Sequence, residues 1–373
     1  MFIPLMKRIL GPLLLLILVA GVGWGIWRSV GESLRNRNVV PVRGLVGSEK
    51  VPYLTDPRVL AILRRHGLDL QVEKAGSREM AARTDLAKYD FAFPAGAPAA
   101  IKLMQQTGVK KSYNPFFTPM AIASWRPIVS VLTANGMVQQ TRDSTLILDM
   151  HKLLAVMRRG TRWRDLPGNS QYAIGKSVLI STTDVRTSNS AAMYLALTSY
   201  VANGDNVVQS NAEAIRVVPA LADLFRKQGF QEASTAGPFE DYLTMGMGKA
   251  PLVLIYEAQF IQHLMEHGPG NPDMVLLYPQ PTVFTKHTLV PFNVRGDSLG
   301  ILLETDVELQ HLAAEYGLRT SDAGYSSQLW SSKGVRVPMQ LIDVIDPPSY
   351  ELLEHMIVSI AVGTCERADS TCH

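Results

Sequence analysis

The segment RGLVGSEKVPYLTDPRVLAILRRHG, residues 43–67, decides the fold expected for this chain of 373 residues. Its first apolar run ends at Gly47, which predicts a short strand that closes in a turn. The following DPRVLAILRRHG, residues 56–67, predicts a helix, because Pro57 stands near its start and Gly67 at its end. A strand that leads directly into a helix is the repeating unit of α/β folds.

The same strand-then-helix unit occurs twice more along the chain. LDLQVEKAGS and REMAARTDLAKY, residues 68–89, form the second unit, and YDFAFPAGAPAAIKLMQQTG, residues 89–108, forms the third. Each strand ends in small or polar residues that open a helix, namely Gly47-Ser48, Gly76-Ser77 and Pro94-Ala95-Gly96. Ligands of open α/β sheets bind beyond the carboxyl ends of the strands, so we expect a ligand site at this edge.

A fourth strand-to-helix turn lies in SVLISTTDVRTSNSAAMYLAL, residues 177–197. Residues 178–180 predict a short buried strand, and the alanine-rich part that follows predicts a helix. Between them stand several hydroxyl and amide side chains and one arginine, whereas a helix N-cap needs only one such residue. The stretch favours a cradle for an oxyanion at a helix N-terminus, with simple capping as the alternative.

Two long segments rich in proline predict crossings between two halves of the molecule. Residues 114–136 contain Pro115, Pro119 and Pro127, which argue against a helix, and residues 274–292 form a similar extended run. The first is expected to lead into a second lobe and the second to return from it. Helices are expected in that second lobe, among them LILDMHKLLAVMRRG, residues 146–160.

The charge balance excludes one large class of function. The chain has 36 basic and 33 acidic residues, a net charge of +3, and its basic residues form no long stripe, so no nucleic-acid partner is expected. No nucleophile, base and orienting residue stand at a recognisable spacing, so we expect neither an enzyme nor a cofactor.

A zinc metallohydrolase is the enzymatic alternative, because HLMEH, residues 263–267, matches the H-x-x-E-H pattern of inverted zinc proteases. In that interpretation His263 and His267 would bind the metal and Glu266 would act as the base. However, the segment stands just before GPGNP, where a helix must end, and histidines are favoured at helix C-termini without any metal.

The N-terminal segment predicts a membrane anchor. Lys7 and Arg8 precede ILGPLLLLILVAGVGWGIW, residues 9–27, which carries no charge and would span roughly 28 Å as a helix. No Ala-x-Ala cleavage site follows it, and Trp24 and Trp27 are typical interfacial anchors. We expect one retained transmembrane helix in a bacterial inner membrane, with the bulk of the chain in the periplasm; a cleaved signal peptide is the alternative.

The two cysteines support an oxidising compartment. Cys365 and Cys372 are the only cysteines, and both stand in the C-terminal tail. This spacing predicts a small disulfide loop, with two free thiols as the alternative.

Two α/β halves joined by two extended crossings resemble a type 2 periplasmic solute-binding protein. VGSEK at residues 46–50, AGSRE at residues 75–79 and TTDVRTSNSAAMYLAL at residues 182–197 resemble the phosphate-binding turns of the sulfate, molybdate and phosphate binders. LVLIYEAQF, residues 252–260, resembles a second-lobe strand of the same group. The resemblance implies a two-lobed α/β fold with two interlobe crossings, here preceded by one transmembrane helix.

This fold implies four parts of the chain. Residues 1–38 would hold the anchor and a linker, and residues 39–125 the first part of lobe one. Residues 126–273 would form lobe two, and residues 274–373 the return crossing, the second part of lobe one and the tail.

The resemblance also implies a ligand site between the lobes. Arg186 is expected to bind an anionic group, with a pair to Asp184 as the alternative. Glu257 is expected to bind a ligand amine or Lys50, with a solvated acid at a helix start as the alternative. The expected ligand-binding residues are Ser48, Glu49, Lys50, Ser77 and Arg78 from lobe one and Arg186, Thr187, Ser188, Asn189, Ser190 and Glu257 from lobe two.

The predicted function follows from this site. We expect an extracytoplasmic solute-binding protein, anchored in the membrane, that captures a small anionic or zwitterionic solute. It would deliver the solute to a membrane permease of an ABC transporter or to a sensor complex. The alternative is a ligand-sensing or scaffold subunit of a membrane complex without a transport role.

Overall fold

The computed structural model describes residue 21 and residues 39–365, apart from residues 230, 339 and 342. Within these residues the chain forms ten strands and fourteen α-helices. The strands are β1 (Val40–Val46), β2 (Leu68–Lys74), β3 (Phe91–Phe93), β4 (Tyr113–Trp125), β5 (Val138–Gln140), β6 (Leu146–Asp149), β7 (Leu252–Tyr256), β8 (Met274–Gln280), β9 (Thr282–Pro291) and β10 (Val344–Ile345). The helices are α1 (Val51–Leu54), α2 (Pro57–Arg65), α3 (Ser77–Ala82), α4 (Ala97–Thr107), α5 (Arg126–Ala134), α6 (Met150–Arg158), α7 (Asn189–Ala202), α8 (Asn211–Arg226), α9 (Ala236–Met245), α10 (Glu257–His267), α11 (Val294–Thr305), α12 (Val307–Glu315), α13 (Ala323–Ser332) and α14 (Tyr350–Cys365).

One mixed sheet runs through the molecule and confirms the predicted α/β architecture. Its strand order is β2-β1-β3-β9-β4-β8-β6-β5, with β10 added beside β9 and β7 beside β4. Strand β1 pairs in parallel with β2 and β3, and β9 runs antiparallel to both β3 and β4. The strands β1, β2 and β3 therefore end at the same edge, where each leads into its helix.

The buried apolar residues divide the fold into two lobes. Lobe one consists of β1, β2, β3 and β9 with helices α1–α4, α11 and α12, and it has a core on each face of its sheet. Val46 and Leu45 belong to different cores because successive side chains of a strand point to opposite faces. Lobe two consists of β5–β8 with helices α5–α10 around one larger core.

The C-terminal helix α14 packs into the core of lobe two, although the sequence prediction placed it in lobe one. Its residues Leu353, Met356, Ile357 and Ile360 are buried in that core, and its main neighbour is α8. Full burial of one such side chain stabilises a fold by about 1.5 to 3 kcal/mol. The position of α14 after the return crossing suggested lobe one, but chain order carries no signal about which lobe covers a helix.

Strand β4 forms the first crossing. Its residues up to Pro119 pair with β9, and from Met120 onward it pairs with β7 and β8 of lobe two. The predicted extended segment 114–136 is wrong beyond Trp125, where α5 begins. Pro127 lies in the first turn of α5, where its missing N–H removes no hydrogen bond. The second predicted crossing, residues 274–292, is formed by β8 and β9.

Two local predictions in lobe two are corrected. The first residues of the segment 146–160 form strand β6, and helix α6 begins only at Met150. The helix begins there because the Asp149 carboxylate accepts the backbone N–H of Lys152 at 3.0 Å and so caps the helix N-terminus. The predicted strand at residues 178–180 is an extended segment. In the described chain it joins the sheet through one bridge, between Ser181 and Val253 of β7.

Several predictions concern residues that the structure does not describe. No helix among the described residues is both long and apolar enough to cross a membrane. The predicted span, residues 9–27, lies outside the described residues apart from Gly21. Cys372 also lies outside them, and with it the predicted disulfide to Cys365.

Candidate functional site

A cavity of about 400 Å³ lies between the lobes, at the edge where β1 and β2 end. We call it the cleft cavity. Lobe one supplies the small residues that follow these strands, and lobe two supplies the first residues of three helices. The lining residues are Gly47, Ser48, Glu49, Lys74, Ala75, Gly76, Ser77, Glu79, Ala95, Thr187, Ser188, Asn189, Ala233, Ser234, Thr235 and Tyr256.

The lobe-one wall is built from two strand-to-helix turns. The buried hydroxyl of Ser77 accepts the backbone N–H of Ala95 at 2.9 Å, which ties the turn after β2 to the turn after β3. The backbone N–H of Gly76 donates to the Glu79 carboxylate at 3.2 Å. Because its oxygen accepts a bond, the Ser77 hydroxyl retains its own proton for donation.

The lobe-two wall contains the N-termini of α7 and α9. Ser188 precedes α7 but does not cap it, since its hydroxyl lies 2.9 Å from the Ser190 hydroxyl instead. Thr235 precedes α9 and makes no side-chain cap either. The first amides of a helix have no acceptor within the helix, and its N-terminus carries a partial positive charge. The first amide of α9, that of Ala236, already donates to the Ser234 hydroxyl at 3.3 Å, and the third residue of this helix is a proline without an N–H. The start of α7 is therefore the part of this wall that offers amide donors to an anionic group.

The lobes touch each other around the cavity. The hydroxyls of Ser48 and Ser234 lie 3.1 Å apart across the cleft. Gly76 approaches the lobe-two backbone so closely that a Cβ at this position would lie 2.8 Å from the carbonyl oxygen of Thr187. A side chain at Gly76 would therefore require the two lobes to move apart.

The structure brings six of the predicted site residues together around this cavity and leaves five elsewhere. The six that line it are Ser48, Glu49, Ser77, Thr187, Ser188 and Asn189. Lys50 and Ser190 are buried but do not line it, and Arg78, Arg186 and Glu257 point to other partners.

The placement predicted for Arg186 is corrected. Its guanidinium forms an ion pair of 2.6 Å with Asp184, and its side chain is 67% exposed. The same carboxylate accepts the backbone N–H of Arg186 at 2.8 Å, which fixes the short turn in which both residues stand. The pair with Asp184, which was the alternative to binding an anionic ligand, is the one that the structure shows.

Arg78 connects three parts of the fold. Its guanidinium binds the Glu354 carboxylate of α14 through two nitrogens, and it also donates to the carbonyl oxygen of Val185 at 2.7 Å. Arg78 belongs to lobe one and Val185 to lobe two, so this side chain bridges the lobes beside the cavity.

Glu257 is the centre of a buried group of charges that we call the Glu257 cluster. Its two carboxylate oxygens accept from Arg319 at 2.6 and 2.8 Å, and the Tyr278 hydroxyl donates to it at 2.6 Å. Burial and the nearby carboxylate raise the pKa of Tyr278 well above its ordinary value, so it remains a donor. Glu257 is fully buried, which corrects both its predicted contact with Lys50 and the solvated alternative.

Glu49, Lys50 and His287 form a second buried group, the Lys50 cluster. The Lys50 ammonium pairs with Glu49, lies 3.1 Å from Nδ1 of His287 and stands over the ring of Phe93. Burial lowers the pKa of Lys50 despite the adjacent carboxylate. Burial would raise the pKa of Glu49, but Lys50 and His287 hold it well below its ordinary value. The cluster therefore presents a carboxylate to the cleft cavity.

His287 is the least satisfied member of this cluster. Burial and the charge of Lys50 lower its pKa to about 4, so the imidazole is neutral at neutral pH. Its Nε2 atom is buried and has no hydrogen-bond partner among the described residues. His287 was not among the predicted ligand-binding residues, because a single histidine on a crossing strand carries no local sequence signal.

Ser234, Thr235 and Tyr256 also line the cleft cavity, and they were not among the predicted site residues. Ser234 and Thr235 precede α9 in the same way that Ser188 precedes α7, and this repetition was a usable signal. The Tyr256 hydroxyl accepts from the Asn189 amide at 3.1 Å, and burial raises the pKa of this tyrosine far above its ordinary value.

The histidine pattern of α10 does not form a metal centre. The rings of His263 and His267 stack with centroids 4.7 Å apart, and Glu266 accepts from the Gln262 amide. The described residues contain no group of three or more histidines, cysteines or acids that could hold a metal ion.

Comparisons with known proteins place the fold. The substrate-binding protein of the ABC transporter from Agrobacterium tumefaciens matches with a TM-score of 0.52 and 13% identity, over 87% of this chain and 94% of that one. Iron-bound HitA from Pseudomonas aeruginosa matches with a TM-score of 0.53 and 10% identity, over 87% and 99%. The ferric binding protein from Campylobacter jejuni matches with a TM-score of 0.50 and 9% identity, over 86% and 98%.

These neighbours confirm the predicted resemblance at the level of the fold. The chain has the two-lobed fold of type 2 periplasmic substrate-binding proteins. No family model matches the chain, and no curated protein sequence matches it.

Proposed function

We propose that the protein is an extracytoplasmic solute-binding protein that captures a small solute with an anionic group between its lobes. One observation carries this proposal: the N-terminus of α7 and the serines Ser48 and Ser77 of the other lobe line one interlobe cavity. A helix N-terminus is equivalent to about half a positive charge, and its first amides have no acceptor within the helix. An anionic group placed here would receive donors from both lobes.

Uncharged donors would do most of the binding. Lys74 is the one basic side chain among the described residues that line the cleft cavity, and it is exposed. The carboxylates of Glu49 and Glu79 line it as well. This balance favours a solute with a single anionic group over one with several.

Binding is favoured over catalysis by the contacts of the hydroxyls. Among the described residues, the Ser48 hydroxyl contacts Ser234, that of Ser77 accepts a backbone amide, and that of Ser188 contacts Ser190. None of these contacts is to a histidine or a carboxylate, so none provides a base that could activate a nucleophile. The neighbours in fold are binding proteins, which agrees with this proposal.

The location and the partner are part of the proposal. Residues 9–27 would anchor the chain in the membrane, with the lobes on the extracytoplasmic side. A permease or a sensor in the same membrane would then receive the loaded protein. The neighbour from Agrobacterium tumefaciens is the substrate-binding protein of an ABC transporter, which supports the transport role.

Isothermal titration of the full-length protein in detergent tests this proposal. The probes are sodium sulfate, phosphate and hexanoate. We expect at least one to bind with a stoichiometry of one, and Asn189→Asp to weaken it at least tenfold, because a carboxylate at the start of α7 would repel an anion.

Asn211→Asp is the matched control, since Asn211 is the first residue of α8 and does not line the cavity. An acid in a first helical turn is favourable for the helix itself, so both variants should fold. If no probe binds the unaltered protein, or if Asn189→Asp binds as tightly as the control, the proposed function is wrong.

A further inference from the structure

A second cavity of about 370 Å³ adjoins the cleft cavity, and we call it the side cavity. The residues that line both cavities are Ser48, Glu49, Ser234 and Thr235. Two of these shared residues, Ser48 and Ser234, touch through their hydroxyls at 3.1 Å. A bond between two uncharged groups is among the weaker ones in a protein, so a ligand can replace it.

The side cavity has a different lining from the cleft cavity. Pro52, Phe239, Leu243 and Ala258 give it an apolar wall. Phe239 is almost fully buried and is held by stacking against the ring of Tyr242, with centroids 5.8 Å apart. An apolar wall that continues from a site for an anionic group is suited to a molecule with an acidic head and an apolar body.

We infer that the ligand is an organic acid whose anionic group lies in the cleft cavity and whose uncharged body extends past Ser48 and Ser234 into the side cavity. This inference rests on the proposed function of the cleft cavity. It excludes a bare inorganic oxyanion as the preferred ligand.

The volume of the site supports an organic ligand. At about 30 Å³ for each water molecule, the cleft cavity alone has room for at least a dozen waters. A tetrahedral oxyanion of five atoms would leave most of this volume filled with water, so its hydration shell would stay largely in place. The two cavities together have the size of an ordinary pocket for a small organic ligand.

The charges of the side cavity restrict the far end of the ligand. The carboxylates of Glu49, Glu240 and Glu266 line it together with the imidazoles of His263 and His267, and no lysine or arginine of the described chain does. Burial and the neighbouring His267 lower the pKa of His263, which disfavours a positive charge on its ring. A second anionic group at the far end of the ligand would be repelled by the three carboxylates. We therefore expect a monoacid to bind in preference to a diacid of the same length.

Isothermal titration of the full-length protein with four sodium salts tests the inference. Hexane-1-sulfonate and sulfate share a tetrahedral oxyanion head, and hexanoate and adipate share a six-carbon chain. We expect hexane-1-sulfonate to bind at least tenfold more tightly than sulfate, and hexanoate at least tenfold more tightly than adipate.

A variant that fills the side cavity makes the test specific. Ala236 is the first residue of α9, is exposed and lines only the side cavity. Ala236→Phe should remove the advantage of the two six-carbon monoacids and leave sulfate binding unchanged. Ala212→Phe, at the exposed second residue of α8, is the control and should change neither.

The outcomes separate the inference from the proposed function. If sulfate binds as tightly as hexane-1-sulfonate, if adipate binds as tightly as hexanoate, or if Ala236→Phe leaves these ratios unchanged, the inference is overturned and the proposed function stands. If none of the four salts binds, both are overturned.

Discussion

The Glu257 cluster and the Lys50 cluster are both buried charges at a strand-to-helix turn, yet they differ in how completely they are paired. Glu257 follows β7, and both of its oxygens are bonded to Arg319, with Tyr278 as a further donor. Lys50 follows β1 and contacts Glu49 and His287, but Nε2 of His287 has no partner in the described part of the chain.

A second difference separates a structural role from a binding role. Glu257 is fully buried, has a donor on each oxygen and lines neither the cleft cavity nor the side cavity. Glu49 lines both cavities. A place in the wall of a cavity is therefore a better sign of a site here than charge and burial alone.

The largest effect is expected in the fully paired cluster. Arg319→Met should lower the free energy of unfolding by about 3 to 5 kcal/mol, because it leaves the charge of Glu257 buried without its partner. Urea denaturation measures this change. The double variant Glu257→Met with Arg319→Met should recover most of the loss, and a double variant less stable than the single one would contradict the comparison.

A pH-dependent effect is expected in the Lys50 cluster. The pKa of His287 falls from an ordinary 6.5 to about 4 in the folded protein, so the unfolded chain binds a proton at a higher pH than the folded one. The free energy of unfolding should therefore decrease as the pH falls from 6.5 to 4, by at most about 3 kcal/mol from this group.

This prediction is checked by measuring the free energy of unfolding between pH 4.5 and 6.5 and taking its slope against pH. The range starts at the ordinary pKa of Glu49, so that the titration of this carboxylate contributes little to the slope. His287→Gln should flatten the slope relative to that of the unaltered protein. Equal slopes for the variant and the unaltered protein would show that the Lys50 cluster does not sense pH.

A smaller effect is expected where the lobes meet. Gly76→Ala should lower the affinity for the most tightly bound probe about tenfold, or by about 1.4 kcal/mol. The reason is that the new methyl group would hold the lobes apart at the backbone of Thr187. The backbone at Gly76 has a φ of −69°, which alanine adopts freely, so stability should change little. Gly248→Ala, in open space, is the control for titration, and equal affinities would show that closure is unnecessary.

The smallest effect is expected at Arg186, whose side chain is exposed although that of its partner Asp184 is mostly buried. Arg186→Ala should change the free energy of unfolding by about 1 kcal/mol, the upper end for pairs near the surface, and should leave ligand affinity within twofold. Titration and denaturation of the same preparation check both values. A tenfold loss of affinity would place Arg186 in the site after all.

Local sequence signals predicted the lobe-one turns of the site, because a strand that ends in Gly-Ser before a helix is encoded within a few residues. The start of α7 was also predicted, although no strand precedes it directly. Topology then brought Ser48, Ser77 and Ser188 to one cavity. The pairing of Glu257 with Arg319 joins residues 62 positions apart and leaves no local pattern. The partner of Arg186 could not be predicted from the sequence either, because both Asp184 and an anionic ligand would attract its guanidinium. Only the geometry of the turn decides between the two.

Strand β4 has a mechanical consequence for the whole molecule. It passes from the ladder of β9 to that of β7 between Pro119, opposite Phe284, and Met120, opposite Tyr256. The proline ring fixes one torsion at this junction, so any rotation of the lobes about β4 is concentrated in the torsions on either side of one peptide bond. The distance between Ser48 of lobe one and Ser234 of lobe two, which touch in this structure, would therefore report on a rotation at this junction.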